Sequence, residues 1–222
     1  MLDAQPADVG LGVVTFRVPE ATDPSERLMM IGNLGCEFED PAGVNLLPYF
    51  WRASTGDGVE RRFVYAAYTG LPGGVDTFAY GGAGGTLTLR GDPGIARSGN
   101  RCLEVNGFEP ERIPAEGLGF RSPSLPARPG DTLDVSFWAR GNALEPQGDT
   151  ALAAFLEFTD ATGQHRERID VTGGAVLRGA FDWQQVSAAV TVPQTARRVT
   201  LFCGLAPGTG TLWLDDFALD AR

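Results

Sequence analysis

The chain has 222 residues, 43% hydrophobic and 21% charged, enough apolar material for one large core and too much for a disordered segment. Its formal net charge of -10 opposes a phosphate backbone and argues against general nucleic-acid binding. All 18 basic residues are arginine, and no run reaches the roughly 18 apolar residues of a membrane-spanning helix.

Residues 1–30 mix Asp, Pro, Ser and Glu around one apolar run, Leu11 to Val18, and read as an N-terminal extension or an extra strand. Residues 31–222 read as one domain. The first ten residues carry neither the basic nor the apolar segment of a secretion signal. Between Asn45 and Gly85 the chain is rich in aromatic residues and glycine, which predicts an insertion at about 45–85. Short alternating runs then predict strands over Arg101–Val105, Thr132–Ala139, Ala151–Thr159, Gln164–Val171, Trp183–Val192, Arg198–Leu205 and Thr211–Leu219. Thirty glycines and fifteen prolines are scattered between such runs, where they act as turn residues. The fold class is all-β.

Cys36, Cys102 and Cys203 are odd in number and lack C-x-x-C spacing, so zinc and redox motifs are excluded. One disulfide with a free thiol, or buried free cysteines, would account for them. The second reading is favoured because Cys102 and Cys203 sit in apolar runs, where cysteine packs as a small hydrophobe.

Strand parity sorts side chains into two faces. Leu133, Val135 and Phe137 share one face and Ser136 and Trp138 the other. Leu152, Ala154, Leu156 and Phe158 oppose Phe155 and Glu157, and Val199, Leu201, Cys203 and Leu205 oppose Phe202. Sugar rings combine an apolar face with a hydroxyl rim, so their sites pair flat aromatics with planar hydrogen-bonding groups. Trp138, Phe155, Phe202, Glu157 and Ser136 supply that combination, and Arg166 and Arg168, of one parity, add donors. The alternative is a structural or protein-interaction domain whose outward aromatics form a second small core or lie under the insertion.

Asn33-Leu34-Gly35-Cys36-Glu37-Phe38-Glu39 resembles the Asn-Gly-x-Phe-Glu opening of carbohydrate-binding modules of families four, nine and twenty-two, with one extra residue. Ser98–Val105, Pro129–Gly141, Phe158–Gly163, Trp183–Val186 with Val192-Pro193, and Trp213–Leu219 are similar to further motifs of those families, in the same order. The resemblance spans residues 31–219 except 45–85. It implies a two-sheet antiparallel β-sandwich, the jelly roll, whose concave face holds a polysaccharide or oligosaccharide without cleaving it. It also implies attachment to a larger glycan-degrading enzyme and a secreted or cell-surface location, although without a signal in this chain a cytoplasmic one stays open.

Asp215 shares sequence parity with Trp213, Phe217 and Leu219, which places a carboxylate toward the core, where it needs a partner. The resemblance implies a structural calcium, with Glu39, Asn100, Asp215 and Asp216 as ligands and Glu37 competing with Glu39. An arginine or backbone amides would serve Asp215 equally. Catalysis has little support: His165 is the only histidine, no Gly-x-Ser-x-Gly elbow occurs, and paired carboxylates would have to be Glu157 with Asp134 or Asp170.

Overall fold

The structure, a computed structural model, describes residues 84–99, 101–122, 124–163 and 166–221 and the strand backbone at 52–54, 62–64 and 78–82. Residues 1–30, Cys36, Glu37, Glu39, Asn100 and His165 lie outside the described residues.

Thirteen described strands occur: β1 (Arg52–Ser54), β2 (Arg62–Val64), β3 (Phe78–Gly82), β4 (Gly85–Gly91), β5 (Arg101–Gly107), β6 (Leu118–Arg121), β7 (Leu125–Pro126), β8 (Thr132–Pro146), β9 (Leu152–Thr159), β10 (Arg166–Asp170), β11 (Gly179–Thr191), β12 (Arg198–Leu205) and β13 (Gly208–Ala221). They pair antiparallel into a six-stranded sheet, β1-β6-β12-β9-β10 with β7 on β12, and a seven-stranded sheet, β11-β8-β13-β5-β4-β3-β2. The fold is therefore the expected all-β sandwich. All seven predicted strands form, and several run longer. Three short strands, β1 to β3, fall within the segment expected to be an insertion, and they extend both sheets.

The inward positions of β8, β9 and β12 follow the alternation of the sequence. Phe120, Phe137 and Phe158 are fully buried among leucines and valines from both sheets, each contributing about 1.5–3 kcal/mol by leaving water. Cys102 and Cys203 are free, buried thiols. Burial drives the pKa of both well above the ordinary thiol range.

Parity fails within the closing run predicted as Thr211–Leu219. In the β8–β13 ladder Leu214 pairs with Ala139 and Asp215 with Trp138, and the register then slips before Ala218 meets Ser136. The extra residue is Asp216, whose φ of 48° lies in the left-handed region. Such a bulge inserts one residue into a strand and changes the facing of everything beyond it. Asp215 therefore leaves the sheet on the same side as Trp213 and Trp138, away from the core, and does not share a face with Phe217 and Leu219.

Candidate functional site

The outer face of the six-stranded sheet gathers most of the expected site. Register aligns Arg121, Phe202, Phe155 and Asp170 in one row across β6, β12, β9 and β10. The next outward row holds Thr200, Glu157 and Arg168, and Arg198, Thr159 and Arg166 follow. The rings of Phe155 and Phe202 are stacked, with centroids 4.7 Å apart and planes at 15°.

Guanidiniums close over these rings. Arg168 lies 4.7 Å and Arg121 5.5 Å from the Phe155 centroid, and Arg121 is 5.3 Å from that of Phe202. Cations are attracted to the negative face of an aromatic ring. The same arginines hold two carboxylates. Arg168 Nε donates to Glu157 Oε2 at 2.8 Å, while its NH1 lies 2.7 Å from Glu116 Oε2. Arg121 lies 3.5 Å from both Glu116 and Glu157, and Arg166 3.8 Å from Glu157. Burial of Arg168 works against its charge, yet its hydrogen bonds to Glu157 and Glu116 outweigh that and raise its pKa.

Glu116 reaches this lattice through a turn that needs glycine. Gly117 has φ +104°, and a Cβ there would stand 2.8 Å from that of Ala153 and 3.4 Å from the Phe202 ring. The chain thus lies against Phe202, which is buried although it points away from the core. Phe202 is backing for Phe155 and offers no platform of its own. Glu157 is also buried, whereas Arg166 and Arg168 are exposed. Arg121 and Glu116 were not among the expected site residues. The alternation Leu118-Gly119-Phe120-Arg121 is the trace of β6 in the sequence, weakened by the glycine and by a length of four residues.

Trp138 and Ser136 are not part of this cluster. They belong to β8, in the seven-stranded sheet, and their outer face is on the opposite side of the sandwich. There the Arg97 guanidinium carbon sits 3.7 Å from the Trp138 ring centroid. Asp134 also lies on β8, so it cannot pair with Glu157. Asp170 shares the face of Glu157, but its Oδ1 accepts from the Thr172 amide and hydroxyl at 3.0 and 2.6 Å.

Beside Trp138, Asp215 accepts backbone N–H bonds from Arg97 at 2.9 Å, Ser98 at 3.4 Å and Asp216 at 2.8 Å. Desolvation nevertheless pushes its pKa up to about 6. Asp216 pairs with the Arg97 guanidinium and accepts from the Ser98 hydroxyl at 2.5 Å. These N–H and O–H donors pair both carboxylates within the described residues. Among the described residues no group of three or more His, Cys, Asp or Glu could hold a metal ion.

No family model and no curated protein matches the chain. Among solved structures it is similar to the C-terminal family 22 carbohydrate-binding module of Clostridium thermocellum Xyn10B, at 18% identity and TM-score 0.45, over 68% of this chain and 88% of that one. The CBM22-2 xylan-binding domain of Paenibacillus barcinonensis Xyn10C is 15% identical at TM-score 0.45, over 78% and 92% of the two chains. The enzymatically active domain of bacteriophage CBA120 tailspike protein 4 is 13% identical at TM-score 0.45, and this chain spans only 20% of it.

Proposed function

We propose that this chain is a non-catalytic carbohydrate-binding module that holds a polysaccharide or oligosaccharide on the outer face of its six-stranded sheet. The observation that carries the reading is the double engagement of Arg168 with Glu157 and Glu116 above Phe155. Planar donors and acceptors fixed in advance lose little conformational freedom when sugar hydroxyls bind, which preserves affinity. Phe155, Glu157, Arg166 and Arg168 are the expected contacts on this face, joined by Arg121 and Glu116 and backed by Phe202. In this reading the module serves a larger, secreted glycan-degrading enzyme.

Affinity electrophoresis against xylan, hydroxyethylcellulose and mixed-linkage β-glucan tests the proposal. Retardation in at least one gel, lost in Arg168→Ala, is the expected result. No retardation in any gel, or retardation unchanged in Arg168→Ala, would overturn it. Release of reducing ends that disappears in Glu157→Gln would replace binding with catalysis.

For the calcium proposed at Glu39, Asn100, Asp215 and Asp216, the competitor is Arg97, which already pairs with Asp216. A melting temperature that falls in chelator and recovers with added calcium supports the metal. An unchanged melting temperature leaves the corner to its N–H donors.

A further inference from the structure

We infer that the seven-stranded sheet carries a second site, for a neutral sugar ring, in a cavity against Trp213. The cavity, of about 520 Å³, is lined by Arg140, Gly141, Asn142, Phe181, Asp182 and Trp213 among others, a volume within the range of small-molecule sites. It lies on the opposite side of the sandwich from Phe155 and Arg168, and it does not depend on that face binding anything.

Each wall has a local cause. Trp213 pairs across the ladder with Arg140 on β8 and Glu104 on β5. Its indole Nε1–H donates to Glu104 Oε2 at 2.7 Å, which fixes the ring plane. The Arg140 guanidinium carbon is 5.5 Å from the Trp213 centroid and its Nε 3.8 Å from Asp182. Asn142 is the next outward position on β8 and is exposed. At the sheet edge the β11–β8 register shifts on both sides of Phe181. The Phe181 ring sits where a side chain at 141 would be, since a Cβ on Gly141 would come within 2.8 Å of its Cζ. Register shifts of this kind re-aim side chains, and Phe181 and Trp213 both line the cavity.

The chemistry of the lining selects the ligand class. Arg140 and Asp182 offset one another and Glu104 is turned to the indole, so the cavity has no net charge to draw an anion or a cation. A purely apolar ligand would strand the polar ends of Arg140, Asn142 and Asp182 away from water. A flat indole beside guanidinium, carboxamide and carboxylate groups instead matches a pyranose, with its C–H face on the ring and its hydroxyls on the planar groups.

The test is a titration of the ¹⁵N-labelled full chain with xylohexaose, cellohexaose and maltohexaose, following the Trp213 indole N–H signal, identified by its loss in Trp213→Phe. A saturable shift with at least one of them is expected, its apparent Kd raised about fivefold or more in the surface variants Asn142→Ala and Asp182→Ala. Arg168→Ala should leave that Kd within twofold. A Trp213 signal unmoved by all three hexasaccharides, or a shift identical in both surface variants, would overturn the inference. Failure of binding at Arg168 alone would leave it standing.

Discussion

Asp215 stands directly across from Trp138 in the β8–β13 ladder, so both side chains leave the sheet on its outer side. That pairing leaves the carboxylate under the 95–99 segment, where backbone amides meet it but water does not. Its pKa of about 6 lies above the 3.8 of an ordinary aspartate. A carboxyl raised on folding stabilises most below its unfolded pKa, and that contribution is lost as pH rises through the folded value. In metal-free buffer the unfolding free energy should therefore fall between about pH 4 and 7, by up to about 3 kcal/mol from this group. Asp215→Asn should flatten that slope, as urea unfolding across the pH range will read.

Alternation exposed the core wherever strands run unbroken. Phe137, Phe158 and Leu201 are inward as their spacing predicts. The Asp216 bulge escaped it because Trp213 continues the apolar series of Phe217 and Leu219 and masks the change of phase from Leu212 and Leu214 to Phe217, Leu219 and Ala221. Nor could it assign strands to sheets: Trp138 and Phe155 have the same outward pattern, yet β8 and β9 lie in different layers. That is why the expected site divides into two faces. Arg121 joins one of them through its register with Phe202, its place over the two rings and its pairing with Glu116 and Glu157.

Gly119 and Gly204 are cross-strand partners between β6 and β12. A Cβ on Gly204 would lie 2.5 Å from the Gly119 Cα and closer still to the Leu118 carbonyl oxygen. Backbone cannot move aside as a side chain can. Gly204→Ala should cost about 1–3 kcal/mol of stability, the range for overpacking, seen as a lower urea midpoint with an unchanged slope. An unchanged midpoint would mean that β6 and β12 separate easily.

Cys102 and Cys203 are both buried, and both thiols are pushed toward the neutral form. Thiolate is the reactive species, and neither site provides it. A thiol reagent such as DTNB should therefore label neither cysteine in the native chain at pH 8 and label both promptly in guanidinium. Rapid native labelling of Cys203, mapped by mass spectrometry of peptides, would contradict its burial in the core.

Trp138→Ala and Arg168→Ala distinguish the two faces. Trp138 stacks with Arg97 on the seven-stranded sheet, and removing its ring releases one guanidinium that still pairs with Asp216. That change is remote from Phe155, so retardation on a binding polysaccharide should remain within twofold of wild type. Arg168→Ala removes a hydrogen bond to Glu157 and an ion pair to Glu116 at once. Both carboxylates lose their shortest donor and keep only the longer contacts to Arg121 and, for Glu157, Arg166, and affinity should fall about tenfold or more, equivalent to about 1.4 kcal/mol. If instead Trp138→Ala abolished retardation and Arg168→Ala did not, the glycan would be held by the β8 face, and the lattice over Phe155 would be a structural clasp between β6, β9 and β10.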